Sequence, residues 1–168
     1  MTKEQFKTLF DLYFEDIRRY LYYRCGDTSI STDLAQDTFM RIWEKQMDVQ
    51  ADRDTGLLYK IAGDLFVSHL RRERLRREAP GEIRFEQSGQ SPEEVLQLSE
   101  LQKKYERVLM MLPENQRVVF LMSRTEELTY QEIATRLSLS VKAVEKRMNG
   151  ALSRLRKELK PDEPGEKT

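Results

Sequence analysis

The 168-residue sequence contains one cysteine, seven glycines and five prolines. A single cysteine, Cys25, excludes an internal disulfide, and no residues around it have the spacing of a zinc site. The scarcity of glycine and proline, with abundant helix formers and no strand-like alternation, predicts an all-α protein. No apolar run approaches the roughly 20 residues of a membrane span, and the N-terminus has no signal-peptide core. We therefore expect a cytoplasmic protein without membrane insertion.

The charges balance overall but are unevenly distributed. The chain carries 29 basic and 29 acidic residues, a total that by itself argues against nucleic-acid binding. Residues 55–81, however, contain six basic and three acidic side chains, and residues 136–160 contain eight basic and two acidic. The two basic blocks can contact a negatively charged partner, while the acidic segments of the chain can contact a positively charged one.

Helical periodicity divides the chain into two domains. Apolar residues recur at helical spacing in three segments, which predicts a three-helix domain over residues 1–78. Residues 79–91 are polar and predict a flexible linker. Residues 92–160 predict a second helical domain, whose first helix starts at the capping sequence Ser91-Pro92-Glu93-Glu94, and residues 161–168 form a polar tail. Two domains this small are expected to make modest mutual contact and to move relative to one another.

The second domain contains the spacing of a helix-turn-helix. Thr129-Tyr130-Gln131-Glu132 is a capping box, Ala134 lets two helices cross closely, and Leu139 and Val144 fill the angle between them. Ser138 stands where glycine is most common, which predicts a strained turn. On the last helix an outward stripe offers donors and acceptors to base edges in the major groove, and arginines beside it can meet phosphates. The stripe is Lys142, Glu145, Lys146 and Asn149, and the flanking arginines include Arg147 and Arg154.

Two blocks together resemble extracytoplasmic-function sigma factors of the sigma-70 family. The stretch from Asp33 to Trp43, DLAQDTFMRIW, resembles their second conserved region. Leu112 to Leu121, LPENQRVVFL, followed by the segments 128–134 and 140–147, resembles their fourth region. Shorter matches at 57–62 and 69–72 extend the resemblance to residues 5–78 and 92–158, nearly the whole chain.

The resemblance implies a transcription initiation factor that binds core RNA polymerase and promoter DNA, uses no cofactor and is not an enzyme. The first domain would bind polymerase and melt the minus-10 element, the second would read the minus-35 element, and an anti-sigma factor would be the usual regulator. Three sets of residues follow. The polymerase-binding set is Asp33, Gln36, Asp37, Met40 and Arg41. The minus-10 and backbone set is Asp64, Arg71, Arg72, Arg74 and Arg76. The minus-35 set is Lys142, Glu145, Lys146, Asn149, Arg147 and Arg154.

The sequence departs from the family pattern at two positions near the minus-10 set. Leu57 stands where the family often has tryptophan, and Asp64 where it often has asparagine. An ionised aspartate only accepts hydrogen bonds and repels phosphate, so whether Asp64 captures a flipped base stays open. Trp43 is expected to be a packing residue, and the single histidine, His69, a partly exposed structural residue or a contact to the DNA backbone.

Two other classes of protein fit the sequence less well. A response-regulator activator or helical adaptor could also use a helix-turn-helix, but a receiver domain needs alternating strands and a phosphorylatable aspartate, whereas the first half predicts helices. An enzyme would need a glycine-rich phosphate loop, a nucleophile arrangement or a carboxylate pair, and none is apparent.

Overall fold

The computed structural model describes residues 1–77 and 98–160, with the side chains of 98 and 99 left out. These residues form seven α-helices and no strand, which confirms the all-α prediction. The first half contributes α1 (Lys3–Cys25), α2 (Thr28–Glu44) and α3 (Thr55–Arg76). The second half contributes α4 (Leu98–Met111), α5 (Glu114–Thr125), α6 (Tyr130–Leu137) and α7 (Val141–Leu159). The predicted linker, the cap at Ser91 and the tail lie outside the described residues.

Short polar sequences define the ends of the first helices. The Thr2 hydroxyl accepts a hydrogen bond from the Gln5 N–H, while the Gln5 side chain accepts one from the Thr2 N–H, so α1 begins with a capping box. Gly26 ends α1 in the left-handed region, at φ 68°, a conformation that glycine adopts without strain. The carboxylate of the next residue, Asp27, accepts from Ile30 N–H at 2.9 Å and starts α2.

The first half is built on one apolar face from each of its helices. Ile17, Leu21, Phe39 and Leu58 are buried to 1% exposure or less, and each fully buried side chain of this size contributes about 1.5–3 kcal/mol relative to exposure. Gln46 follows α2 with φ 48° and is exposed, because α2 stops at Glu44.

The second half packs α5, α6 and α7 around Val119, Met122, Ile133 and Met148, all 1% exposed or less. At Gly150 in α7 an added Cβ would lie 2.6 Å from Gln116 Nε2, so a larger residue there would require the Gln116 side chain of α5 to move. Near the C-terminal end of α4 Val108 and Leu109 are buried, whereas Leu101, earlier in the helix, is 66% exposed.

The two halves contact one another directly, α1 against α5 and α3 against α6. Buried and half-buried side chains of both halves form one continuous apolar cluster. The expectation of modest mutual contact was therefore wrong for this structure, and the polar groups that make the contact are described below.

Candidate nucleic-acid and polymerase interface

Three local features build the helix-turn-helix. The Thr129 hydroxyl accepts from Glu132 N–H at 3.2 Å, and the Glu132 carboxylate accepts from Thr129 N–H at 2.7 Å. Ser138 ends α6 in the left-handed region, with φ 54° and ψ 45°, as its place in the motif predicted. The Ser140 hydroxyl then accepts from Ala143 N–H at 3.1 Å and begins α7. The predicted capping box, turn and second helix are all present.

The two faces of α7 separate as predicted. Val144, Met148, Ala151 and Leu155 are buried against the other helices of the second half. The side chains of the opposite stripe are exposed and make no hydrogen bond or ion pair with any residue that the structure describes. This stripe is Lys142, Glu145, Lys146 and Asn149. Arg154 beside it is also exposed, whereas Arg147 is half-buried and borders a groove between the halves.

All five residues of the predicted polymerase-binding set are exposed on α2. They share the helix face opposite Leu34, Ala35 and Phe39, which are buried. Met40 is 55% exposed and places an apolar side chain on this otherwise polar surface. At the same end of the domain Trp43 packs on Phe6, with ring centroids 5.0 Å apart, and remains 37% exposed. Trp43 therefore packs within the domain, as the sequence predicted, and is also partly accessible to solvent.

The predicted minus-10 set lies in the middle and at the C-terminal end of α3. Arg71, Arg72, Arg74 and Arg76 are exposed at the C-terminal end, while His69 is half-buried. Asp64 is exposed too, but it borders a cavity of about 270 Å³ between α3 and α6, together with Lys60 and Arg136. At the start of α3 the Asp54 carboxylate makes no capping hydrogen bond to the helix. It instead accepts from Gln50 N–H at 3.0 Å and closes the preceding loop.

A cluster of charged residues joins the halves and was not identified from the sequence. Arg136 Nη1 donates to Tyr59 Oη at 2.8 Å and to Asp16 Oδ2 at 3.0 Å. Glu126 lies within reach of two arginines, 3.7 Å from Arg136 Nη1 and 3.4 Å from Arg19 Nε. The side chain of Glu126 is only 7% exposed, and burial raises the pKa of its carboxyl.

A second polar contact lies at the C-terminus of α1. Arg117, on α5, is 3% exposed. Its guanidinium donates to Tyr23 O at 2.8 Å, to Arg24 O at 3.2 Å and, within its own half, to Leu112 O at 3.3 Å. The last carbonyls of a helix have no partner within the helix and carry partial negative charge. The Arg117 guanidinium from the second half therefore supplies hydrogen bonds that the last carbonyls of α1 would otherwise lack. Arg24 also pairs with Glu114 across the contact.

The described residues do not form the groupings typical of a metal site or of a reactive thiol. In the described ranges no three His, Cys, Asp or Glu side chains are grouped as metal ligands. Burial raises the pKa of the Cys25 thiol to about 11, which lowers the fraction of reactive thiolate. None of the described helices is long and apolar enough to cross a membrane, and residues 1–77 have no strand from which a receiver domain could be built.

Comparisons with known proteins agree with this arrangement. The family model for sigma-70 region 2 matches residues 9–76, and that for sigma-70 region 4 matches residues 96–155. The ECF RNA polymerase sigma factor SigE of Mycolicibacterium smegmatis is 29% identical over 143 residues, which cover 83% of this chain and 56% of SigE. SigW of Bacillus subtilis, also an ECF RNA polymerase sigma factor, is 24% identical over 170 residues, covering 94% of this chain and 90% of SigW.

A solved structure has the same fold. The sigma factor RpoE of Bartonella quintana, crystallised with the anti-sigma factor NepR, matches with a TM-score of 0.62 and 22% identity, covering 94% of this chain and 98% of RpoE. The two family models follow one another in the order of the two helical halves and together match most of the chain. The chain belongs to the extracytoplasmic-function group of the sigma-70 family, whose members are promoter-specific transcription initiation factors of RNA polymerase.

Proposed function

We propose that this chain binds core RNA polymerase through the exposed face of α2, reads minus-35 DNA with α7 and contacts minus-10 DNA with α3. The observation that carries the proposal is the stripe on α7. A helix-turn-helix inserts its second helix into the major groove, and here that helix turns Lys142, Glu145, Lys146 and Asn149 to solvent. Lysine can donate to guanine, glutamate can accept from cytosine and asparagine can pair with adenine.

The basic end of α3 supports a backbone contact to the same DNA. Arg71, Arg72, Arg74 and Arg76 are exposed within two turns of one helix, and each phosphate neutralised steepens the salt dependence of binding by about 0.9 log unit per log unit of salt. Arg76 also lies 3.7 Å from Glu73. This ion pair is exposed, so phosphate can replace it at little cost.

We include an anti-sigma factor among the proposed partners, because the structurally similar RpoE was crystallised with one. The exposed Met40 and the polar side chains around it on α2 offer a surface that both polymerase and such a regulator could use. The proposed compartment is the cytoplasm, where core polymerase and promoter DNA are found.

Run-off transcription tests the proposal. Core polymerase of the source organism is incubated with its sheared genomic DNA, with and without the protein, and transcripts that require the protein are sequenced. The proposal predicts transcripts that share upstream elements. A Lys142→Ala/Lys146→Ala variant should lose them, whereas Lys3→Ala/Lys7→Ala, which removes the same charge from exposed positions on α1, should not. Transcription that needs a second sigma factor would instead identify an adaptor.

A further inference from the structure

The C-terminal end of α3 carries one apolar side chain in the middle of a basic surface. Leu75 is 88% exposed, the largest exposed fraction among the large apolar side chains that the structure describes. It is not part of the apolar cluster that the described residues form, so it contributes little to the stability of the fold. A single exposed leucine is common in proteins, and the charges around Leu75 are what distinguish it.

The arginines nearest to Leu75 lie on its own side of the helix, and the acidic residue of the segment lies on the other. Arg71 and Arg72 precede Leu75 by one turn and lie about 40° and 60° to either side of it, because successive helical residues are about 100° apart. Glu73 is the one acidic residue between positions 65 and 77, and it lies roughly 160° away from Leu75 around the helix.

The positive charges around the leucine are not neutralised within the protein. The side chains of Arg71, Arg72 and Arg74 are exposed and make no hydrogen bond or ion pair with any residue that the structure describes. Glu73 pairs with Arg76 instead, at 3.7 Å. Three unpaired cations around one apolar side chain favour a partner that combines closely spaced negative charges with an apolar group.

Duplex DNA combines these two properties on one surface. Its major groove admits an α-helix, and phosphates on both sides of the groove can accept from arginine. The apolar group that the base edges present in this groove is the C5-methyl of thymine. The end of α3 also belongs to the segment that the proposed function assigns to DNA, which favours DNA over an acidic protein surface.

We propose that Leu75 reads a thymine in duplex DNA beside the minus-10 element by packing against its C5-methyl, while Arg71 and Arg72 contact phosphates on either side. This inference rests on the proposed function. The arginines hold the end of α3 over the groove on any sequence. Leu75 then distinguishes thymine from the other bases, which lack the methyl group.

Replacement of thymine by deoxyuridine tests the inference, because uracil forms the same base pair and lacks only the C5-methyl. A promoter obtained by run-off transcription is synthesised with one deoxyuridine at a time in and around the minus-10 element. The affinity of the protein bound to core polymerase is measured for each fragment. We expect a loss of roughly threefold to fourfold at one duplex position, as for the exposure of one buried methyl group.

Two leucine variants show whether Leu75 is responsible for this loss. Leu75→Ala should bind the thymine fragment at least threefold more weakly than wild type and should not respond further to deoxyuridine at that position. Leu12→Ala, on α1, removes the same side chain from a position that is 58% exposed and should keep the full response. Both variants should retain the helix content and melting temperature of wild type, because both side chains are exposed.

The outcomes separate this inference from the proposed function. Equal responses of wild type and Leu75→Ala to deoxyuridine at every position would overturn the inference, as would promoters that share no thymine beside the minus-10 element. Weaker binding of Leu75→Ala to core polymerase, with an unchanged response to deoxyuridine, would also overturn it and identify a polymerase contact. Absence of any protein-dependent promoter would instead reject the proposed function.

Discussion

Replacement of Arg136 by alanine should lower the free energy of unfolding and separate the unfolding of the two halves. Arg136 donates to Asp16 at 3.0 Å and to Tyr59 at 2.8 Å, and lies 3.7 Å from Glu126. Removing one partner of a buried ion pair costs about 3–5 kcal/mol. The cost here should be smaller, because the Arg136 and Asp16 side chains are still 20% and 19% exposed and Arg19 still pairs with Glu126. We therefore expect a loss of about 2–3 kcal/mol.

Urea denaturation with two probes measures the effect. The chain has a single tryptophan, Trp43, which lies in α2, so its fluorescence reports the first half, while far-ultraviolet circular dichroism reports all helices. In the wild-type protein the two transitions should coincide, because the contact couples the halves. In Arg136→Ala the fluorescence transition and the dichroism transition should separate.

Two further variants make the measurement decisive. Arg124→Ala, an exposed control, should stay within about 0.5 kcal/mol of wild type. The double-mutant cycle of Arg136→Ala with Asp16→Ala should give a coupling energy of about 1–2 kcal/mol. If Arg136→Ala unfolds like Arg124→Ala and the cycle gives no coupling, the charge cluster does not stabilise the contact and the reasoning is wrong.

The remaining predictions concern the proposed surfaces and Cys25. Lys146→Ala should lose about 1–3 kcal/mol of discrimination at one or two minus-35 positions; equal weakening on every sequence in a binding assay would rule out base reading. Arg74→Ala should weaken DNA binding evenly and reduce the salt slope by about 0.9. Asp37→Lys should reduce the affinity for core polymerase in a titration, whereas Asp11→Lys on α1 should not. Native Cys25 should react with iodoacetamide on the order of a hundredfold more slowly at pH 8 than in urea, because its pKa is about 11 rather than 9.0; comparable rates would contradict its burial.

The local structure of this chain could be predicted because the signals are local. Thr129 and Glu132 are three residues apart and form the capping box that this spacing requires. Ser138 occupies a motif position that needs a left-handed residue and has φ 54°. The buried side of α7 follows from its 3.6-residue period, and the exposed stripe is what remains on the other side.

The contact between the halves could not be predicted in the same way. Arg117, Glu126 and Arg136 are charged residues on amphipathic helices, and charged residues are mostly exposed. Their burial depends on partners 77 to 120 residues away along the chain for Arg136, and 93 and 94 residues away for Arg117. The hydrophobic periodicity of a single segment does not indicate partners that are so distant along the chain.

The contact between the halves accounts for the residue types at positions 56 and 138, Gly56 and Ser138. A non-glycine residue in the left-handed region costs roughly 1–2 kcal/mol, so serine at 138 is unfavourable for the turn alone. Glycine in a helix costs about 1 kcal/mol relative to alanine, so glycine at 56 is unfavourable for α3 alone. In the contact these two unfavourable residues are complementary, since the Ser138 hydroxyl occupies space that a side chain at 56 would need. Each residue is unfavourable for its own half and suits the contact between the halves.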